Sequence, residues 1–145
     1  MKLITTMCCA LVLTSTAVLA HADSDLSDQR EDVMKSYEKY LKSIGKMFRG
    51  QTDYDAAVVK AGAEQMQAHS GRYLLDLFPE GSGGDGTHAK PLIWEQWDDF
   101  SGLVNDLQKS SASLAANADT LESASPYYKD VMSSCKGCHK TYKSR

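Results

Sequence analysis

The residues with the clearest chemical meaning are Cys135, Cys138 and His139, which stand together in the segment Cys135-Lys136-Gly137-Cys138-His139. A C-x-x-C-H sequence is the attachment signature of a c-type haem, in which two cysteine sulfurs add to the vinyl groups and the histidine binds iron. On a helix, positions i, i+3 and i+4 share one face, so all three side chains would address the same porphyrin. The sequence therefore predicts one covalently bound haem c and its iron.

A C-x-x-C pair also occurs in redox sites and in zinc sites, and neither alternative fits this sequence. A thioredoxin-type pair opens a helix that follows a strand, and no strand pattern precedes Cys135. A structural zinc ion needs a full set of four ligands, and no second cluster of cysteine and histidine is present to complete it. Both observations favour haem.

The N-terminal 22 residues have the pattern of a secretory signal peptide. A basic start at Lys2 precedes an apolar stretch with a few threonines and serines, and Ala20-His21-Ala22 supplies an A-x-A cleavage site. A membrane span is the alternative, but the apolar stretch is short and is interrupted by threonine. We therefore expect residues 1–22 to be removed, residues 23–145 to form the mature domain, and the protein to be exported to the periplasm without membrane insertion.

The predicted mature chain is small and acidic. It would hold 123 residues, which is enough for one domain with one core. Cys8 and Cys9 leave with the signal peptide, so the haem motif contains the remaining cysteines and no structural disulfide forms. The formal charge of the whole chain is −3, and loss of Lys2 makes it −4. A negative chain argues against nucleic acid and against an anionic membrane surface as partners.

The spacing of the apolar residues predicts four helices and no strand. Asp23 or Ser24 is expected to cap the first helix and Gly50 to end it. Gly71 weakens the second helix without ending it, and Pro91 suits the first turn of the third. Short connections between such helices predict an all-α, antiparallel up-down-up-down four-helix bundle. The predicted helices cover about 24–49, 54–78, 91–114 and 127–142.

The topology of this bundle also predicts which residues surround the haem. The first and fourth helices run antiparallel, so the C-terminal end of the fourth meets the start of the first. The end of the second helix, the start of the third and the glycine-rich loop 80–90 lie at the same end. We expect that loop to be a flexible connection. The residues predicted around the haem are Arg30, Met34, Leu74, Phe78, Trp94 and Trp97.

Several motifs run through the mature chain. They are R-x-x-x-M at Arg30 and Met34, Leu77-Phe78-Pro79-Glu80-Gly81-Ser82, Ala89-Lys90-Pro91 with Ile93-Trp94, and C-K-G-C-H followed by Tyr142-Lys143. Together they resemble the class II c-type cytochromes, the family of cytochrome c′ and its low-spin relatives. The resemblance implies covalent haem on Cys135 and Cys138, with His139 as the proximal ligand. Lys143 departs from the family, which often has arginine there, and lacks the planar fork of arginine.

The resemblance leaves the sixth iron position open. In low-spin relatives, a methionine at the position of Met34 binds iron and the protein transfers electrons. In cytochrome c′ proper the sixth site is empty, the iron is high-spin and NO or CO binds, and a methionine at this position can remain unligated. Met34 is therefore either a sixth ligand or a packing residue. We expect a periplasmic electron carrier that serves redox partners, and the alternative is a gas-binding protein. Family members often form homodimers, which is a further expectation.

Four other residues have two readings each. Arg30 pairs with a haem propionate or is an ordinary solvated arginine. His88 touches a propionate or is simply exposed in its loop. Trp94 and Trp97 are read as core and haem-wall packing rather than as an electron path. No distal His/Arg pair at suitable spacing is evident, which argues against a peroxidase-type enzyme.

Overall fold

The computed structural model describes residues 16–84 and 86–144, with side chains from residue 25 onward, so most of the predicted signal peptide lies outside the described residues. Within these ranges no helix is both long enough and apolar enough to cross a membrane. The second and third predicted helices are each divided into a longer and a short helix. The helices are α1 Thr16–Phe48, α2 Ala56–Ala68, α3 Arg72–Leu75, α4 Leu92–Glu95, α5 Trp97–Ala116 and α6 Leu121–Tyr142.

These helices form four rods, which confirms the predicted all-α bundle. The rods are α1, α2 with α3, α4 with α5, and α6, and α5 packs against both α2 and α6. The end of α1 returns to the start of α6, where Phe48 stacks on Tyr128 with ring centroids 4.2 Å apart. Apolar residues on the facing sides of the rods form one core. Its most completely buried apolar members include Ile44, Val59, Met66, Ile93, Leu114 and Val131.

The first rod ends as predicted but begins earlier. Gly50 has a φ of 67°, and the amides of Gly50 and Gln51 donate to the carbonyls of Met47 and Lys46 over 3.0 and 2.9 Å. This pairing is the Schellman end that a glycine permits. The expected cap at Asp23 or Ser24 is wrong, because the helix passes through both residues. No glycine or proline stands there to stop it.

The second rod is broken at Gly71, so the predicted single helix is wrong. Gly71 has a φ of 58°, which a right-handed helix excludes, and the chain restarts as α3. After the break, Leu74 is 3% exposed and faces the core, whereas Tyr73 is 50% exposed. The third rod is interrupted at Gln96, whose φ of −125° and ψ of 46° also depart from helical values.

The fourth rod begins before its predicted start. Thr120 caps α6, because its hydroxyl accepts from the Ser123 amide and the Ser123 hydroxyl accepts from the Thr120 amide, each over 3.1 Å. This reciprocal capping box starts the helix at Leu121 and leaves Pro126 inside it. From there α6 is unbroken to Tyr142, so the C-x-x-C-H segment is helical throughout.

Candidate functional site

The three residues of the motif lie in the last two turns of α6. The thiols of Cys135 and Cys138 are free and half-buried against the core, whereas His139 is exposed. Burial raises the pKa of both thiols, for Cys138 to about 11, with the charge of Cys135 as a second cause there. Desolvation, followed by the charge of Lys143, lowers the pKa of His139. A lowered pKa favours the neutral imidazole, which is the form that binds a metal ion.

Arg30 of α1 is buried and holds the chain at the end of the second rod. It is 6% exposed, its Nε donates to the Leu77 carbonyl over 2.7 Å, and its Nη1 donates to the Ser82 carbonyl over 2.9 Å. Its Nη2 also donates to the Ser82 hydroxyl, and the guanidinium lies 4.4 Å from the centre of the Phe78 ring. The reading of Arg30 as a solvated arginine is therefore wrong. A contact with a haem propionate stays a prediction.

Aromatic side chains line the region between this loop and α6. The Phe100 ring meets Phe78 at 5.0 Å and Tyr142 at 5.4 Å, both edge-on. Trp94 donates its indole N–H to the Pro79 carbonyl over 2.8 Å, which anchors the start of the third rod to the loop. Trp97, which was predicted to pack in the interior, packs on Phe100 but is 37% exposed. The wall is therefore built by Phe78, Phe100 and Tyr142.

A second connection joins the loop to the end of α6. We call residues 88–90 the brace. The Ala89 and Lys143 backbones form an antiparallel bridge, and the Ser144 amide donates to the His88 carbonyl over 2.9 Å. Lys90 donates its amide to the Tyr142 carbonyl over 3.0 Å. The loop is thus more than a flexible connection, and His88 contributes its carbonyl while its side chain is exposed.

Met34 lies on α1 between two well-fixed residues. It is half-buried and packs against the core, one turn after Arg30. Less than one turn further on, the Tyr37 hydroxyl donates to the His69 carbonyl over 2.7 Å. Burial raises the pKa of Tyr37 to about 12. Met34 and the two motif cysteines pack against the same core.

The residues present fit a covalently bound haem. Two free thiols and one imidazole project from one unbroken helix, and the thiols face an apolar and aromatic interior that would exclude water. Across the part of the chain that the structure describes, no group of three or more His, Cys, Asp or Glu side chains could hold a bare metal ion. This donor set therefore suits a haem better than a structural zinc ion.

The structure brings the predicted residues to one end of the bundle and adds partners that the sequence did not single out. Ser82, Gln96 and the backbone of the brace belong to this second group. Ser82 accepts from Arg30, and the Tyr142 hydroxyl donates to Gln96 over 3.2 Å. The serine of the Leu77–Ser82 motif was a visible signal for the first contact. No spacing rule indicated the others, because they join segments far apart in the chain.

Comparison with known proteins gives four consistent matches. A family model described as Cytochrome C′ matches residues 25–143. Cytochrome c-554 of Cereibacter sphaeroides is 33% identical over 116 residues, which cover 77% of this chain and 86% of that protein. The solved structure of cytochrome c prime from Shewanella frigidimarina has a TM-score of 0.78 at 26% identity and covers 85% of this chain and 97% of its own. A nitric oxide complex of a variant cytochrome c prime from Alcaligenes xylosoxidans has a TM-score of 0.76 at 26% identity, with coverage of 85% and 97%.

Proposed function

We propose that this chain, which belongs to the cytochrome c′ family of c-type cytochromes, is a monohaem electron carrier of the periplasm. The cofactor of the family is a covalently bound haem c, and when bound it supplies one-electron chemistry at its iron. Periplasmic redox proteins are the proposed partners, and residues 1–22 are the proposed export signal. The proposal assigns the protein no turnover of a substrate.

Each residue of the site has a distinct part in this proposal. Cys135 and Cys138 attach the haem through thioethers, and His139, kept neutral by its lowered pKa, is the proximal ligand. Phe78, Phe100 and Tyr142 form the haem wall, with Phe78 fixed under the guanidinium of Arg30. Trp94, anchored to the Pro79 carbonyl, is a further haem contact. The wall keeps water away from the iron, which favours a stable potential for electron transfer.

Met34 as the sixth ligand is the part of the proposal that separates an electron carrier from a gas-binding protein. The observation that carries it is the half-buried position of Met34, which packs against the same core as Cys135 and Cys138. A thioether ligand raises the reduction potential and closes the sixth site to diatomic gases. A packing role for the same side chain would leave that site open.

A gas-binding cytochrome c′ is the second candidate. It is favoured by the nitric oxide complex of the variant Alcaligenes xylosoxidans protein, because the similarity to that protein covers 85% of the present chain. In that case NO or CO would bind where the Met34 sulfur would otherwise sit. The two candidates share the haem, the fold and the proximal ligand, and differ in the resting state of the iron.

The spin state of the unmutated protein tests the proposal. If Met34 binds iron, the ferric protein is low-spin, and the ferrous protein resists CO. Met34→Ala should then produce a high-spin ferric resonance, a lower midpoint potential and rapid CO binding. Met132→Ala is the matched control, because Met132 is half-buried on the helix that carries His139 and cannot reach the opposite side of the iron. A wild-type protein that is high-spin and reacts with CO would overturn the electron-carrier proposal in favour of the gas-binding one.

A further inference from the structure

The C-terminal end of α6 is capped from a distant loop by one residue. The last four carbonyls of a helix have no partner within it. In α6, the Tyr142 carbonyl accepts from the Lys90 amide over 3.0 Å, and the Thr141 carbonyl accepts from the Lys90 ammonium over 2.9 Å. The His139 carbonyl accepts from the Lys143 amide over 3.3 Å. Lys90 therefore supplies two of the caps of the turn that carries His139.

This cap is charged and partly sheltered from water. Lys90 is half-buried, so solvent weakens its ammonium contact less than it would at an open surface. A cation at the C-terminal end of a helix lies against the negative end of the helix dipole. A hydrogen bond from a charged donor is also stronger than one between neutral groups. The side chain of Lys90 thus restrains the last turn of α6 more than an ordinary backbone contact would.

The loop that presents Lys90 is itself anchored elsewhere. Arg30 holds its first part through Leu77 and Ser82, and Trp94 holds Pro79. An anchored loop gives Lys90 a fixed point from which to hold α6. A loop that moved freely would follow the helix end and restrain nothing.

We propose that Lys90 is a positioning residue for His139, which sets the orientation of the imidazole by capping the carbonyls of Thr141 and Tyr142. This inference rests on the proposed function, in which His139 binds the haem iron. Groups that orient a metal ligand tune the properties of the metal without touching it. The capping by Lys90 should therefore affect the midpoint potential of the haem as well as the stability of the helix end.

Three variants of the holoprotein separate this role from a general effect of charge. Lys90→Met keeps the backbone bond to Tyr142 but removes the ammonium from Thr141. Lys90→Arg keeps a cation that can donate to the same carbonyl. Lys140→Met is the matched control, because Lys140 is exposed beside His139 and its loss removes the same charge without removing the cap.

Amide hydrogen exchange is the first measurement, with Val131 in the middle of α6 as the internal reference. Lys90→Met should speed exchange at the Tyr142 and Lys143 amides about tenfold, as expected for loss of one hydrogen bond from a charged donor. Exchange at Val131 should not change, and Lys90→Arg and Lys140→Met should match the wild type. Wild-type exchange rates in Lys90→Met would overturn the proposal.

The midpoint potential, measured by redox titration, is the second measurement. Lys90→Met should shift it and alter the reduced absorption spectrum beyond the change in Lys140→Met, and Lys90→Arg should restore both. A shift equal to that of Lys140→Met would make Lys90 a helix cap alone and overturn the proposal. A separate variant tests the proposed function itself. If His139 did not bind iron, His139→Ala in an otherwise wild-type protein would leave the reduced spectrum unchanged.

Discussion

At the scale of single residues, the site depends on buried polar groups that have partners. Arg30 is a charged side chain in the interior, yet its Nε, Nη1 and Nη2 all donate to the segment between Leu77 and Ser82. A buried charge is tolerated when its hydrogen bonds are made and is strongly destabilising when its partners are lost. Arg30 therefore fixes the loop and the middle of α1 to each other.

Replacement of Arg30 tests this role. Arg30→Met leaves two backbone carbonyls and the Ser82 hydroxyl without these donors, and should lower the free energy of unfolding by about 3 kcal/mol. Arg30→Lys keeps the charge without the planar fork, so its free energy of unfolding should fall between those of the wild type and Arg30→Met. Denaturant unfolding of the holoprotein measures the change. Arg49→Met, at an exposed arginine just after the end of α1, is the control and should change stability little.

Tyr37 gives the protein a sensitivity to alkaline pH. Burial raises its pKa from 10.0 to about 12 in the folded chain. Its contribution to stability is complete below the unfolded pKa, near pH 10, and is lost as the pH rises through the folded pKa. Tyr37→Phe should therefore flatten the fall in unfolding free energy between pH 10 and about 12. An equally steep fall in the variant would show that other groups cause it. Tyr73→Phe, at an exposed tyrosine, is the control.

At the scale of elements, the interruptions in the second and third rods decide which side chains reach the site. The break at Gly71 turns α3 so that Leu74 is buried and Tyr73 is exposed. At the second break, the Gln96 side chain accepts a hydrogen bond from the Tyr142 hydroxyl. An uninterrupted helix would have carried both segments along a straight path with another face towards α6.

Gly71 should be hard to replace. Its φ of 58° is strained for any side chain, and a Cβ there would overlap the side chain of Gln108. Gly71→Ala is expected to cost about 2 kcal/mol of unfolding free energy. Gly50→Ala is the matched control, because Gly50 has a φ of 67° but no atom lies within 4 Å of its added Cβ. Equal thermal midpoints for the two variants would mean that the contact with Gln108 adds nothing.

The apolar spacing of the sequence was sufficient to predict the four rods, their order and the end at which the site lies. It could not predict the break at Gly71, because a single glycine inside a periodic pattern only weakens a helix on average. The cap at Thr120 was missed because the serine and proline that follow it suggested a later start. The contacts of Arg30 and Lys90 depend on loop geometry, which no local periodicity encodes. The resemblance supplied the family, and the structural comparison confirmed it.

At the scale of the whole molecule, the site joins all four rods. Arg30 comes from the first, Phe78 follows the second, Trp94 belongs to the third and His139 to the fourth. A group bound among them contacts residues that are close together only in the folded chain. A ligand of the folded state alone stabilises that state.

Removal of the haem tests this coupling. A Cys135→Ala/Cys138→Ala chain, purified without haem, should have a lower thermal midpoint than the holoprotein, by roughly 10 °C if the bound group contributes about 3 kcal/mol. Calorimetry of both forms measures the difference. Intact mass after acid–acetone extraction is the control for attachment and should retain one haem on a wild-type chain that starts at Asp23. Equal midpoints for the two forms would contradict the coupling.

The stack of Phe48 on Tyr128 joins the end of α1 to α6. At this contact α1 is held against α6. Met34 lies 14 residues away, or ~21 Å at the rise of an α-helix. A rotation of α1 by ~3° about the contact would therefore move Met34 by ~1 Å. Arg30, which donates to the Leu77 and Ser82 carbonyls, restrains this part of α1. If Met34 is the sixth ligand, as proposed, a tilt this small would be enough to make or break its bond to iron. Within one bundle architecture, the angle of a single helix would then decide between an electron carrier and a gas binder.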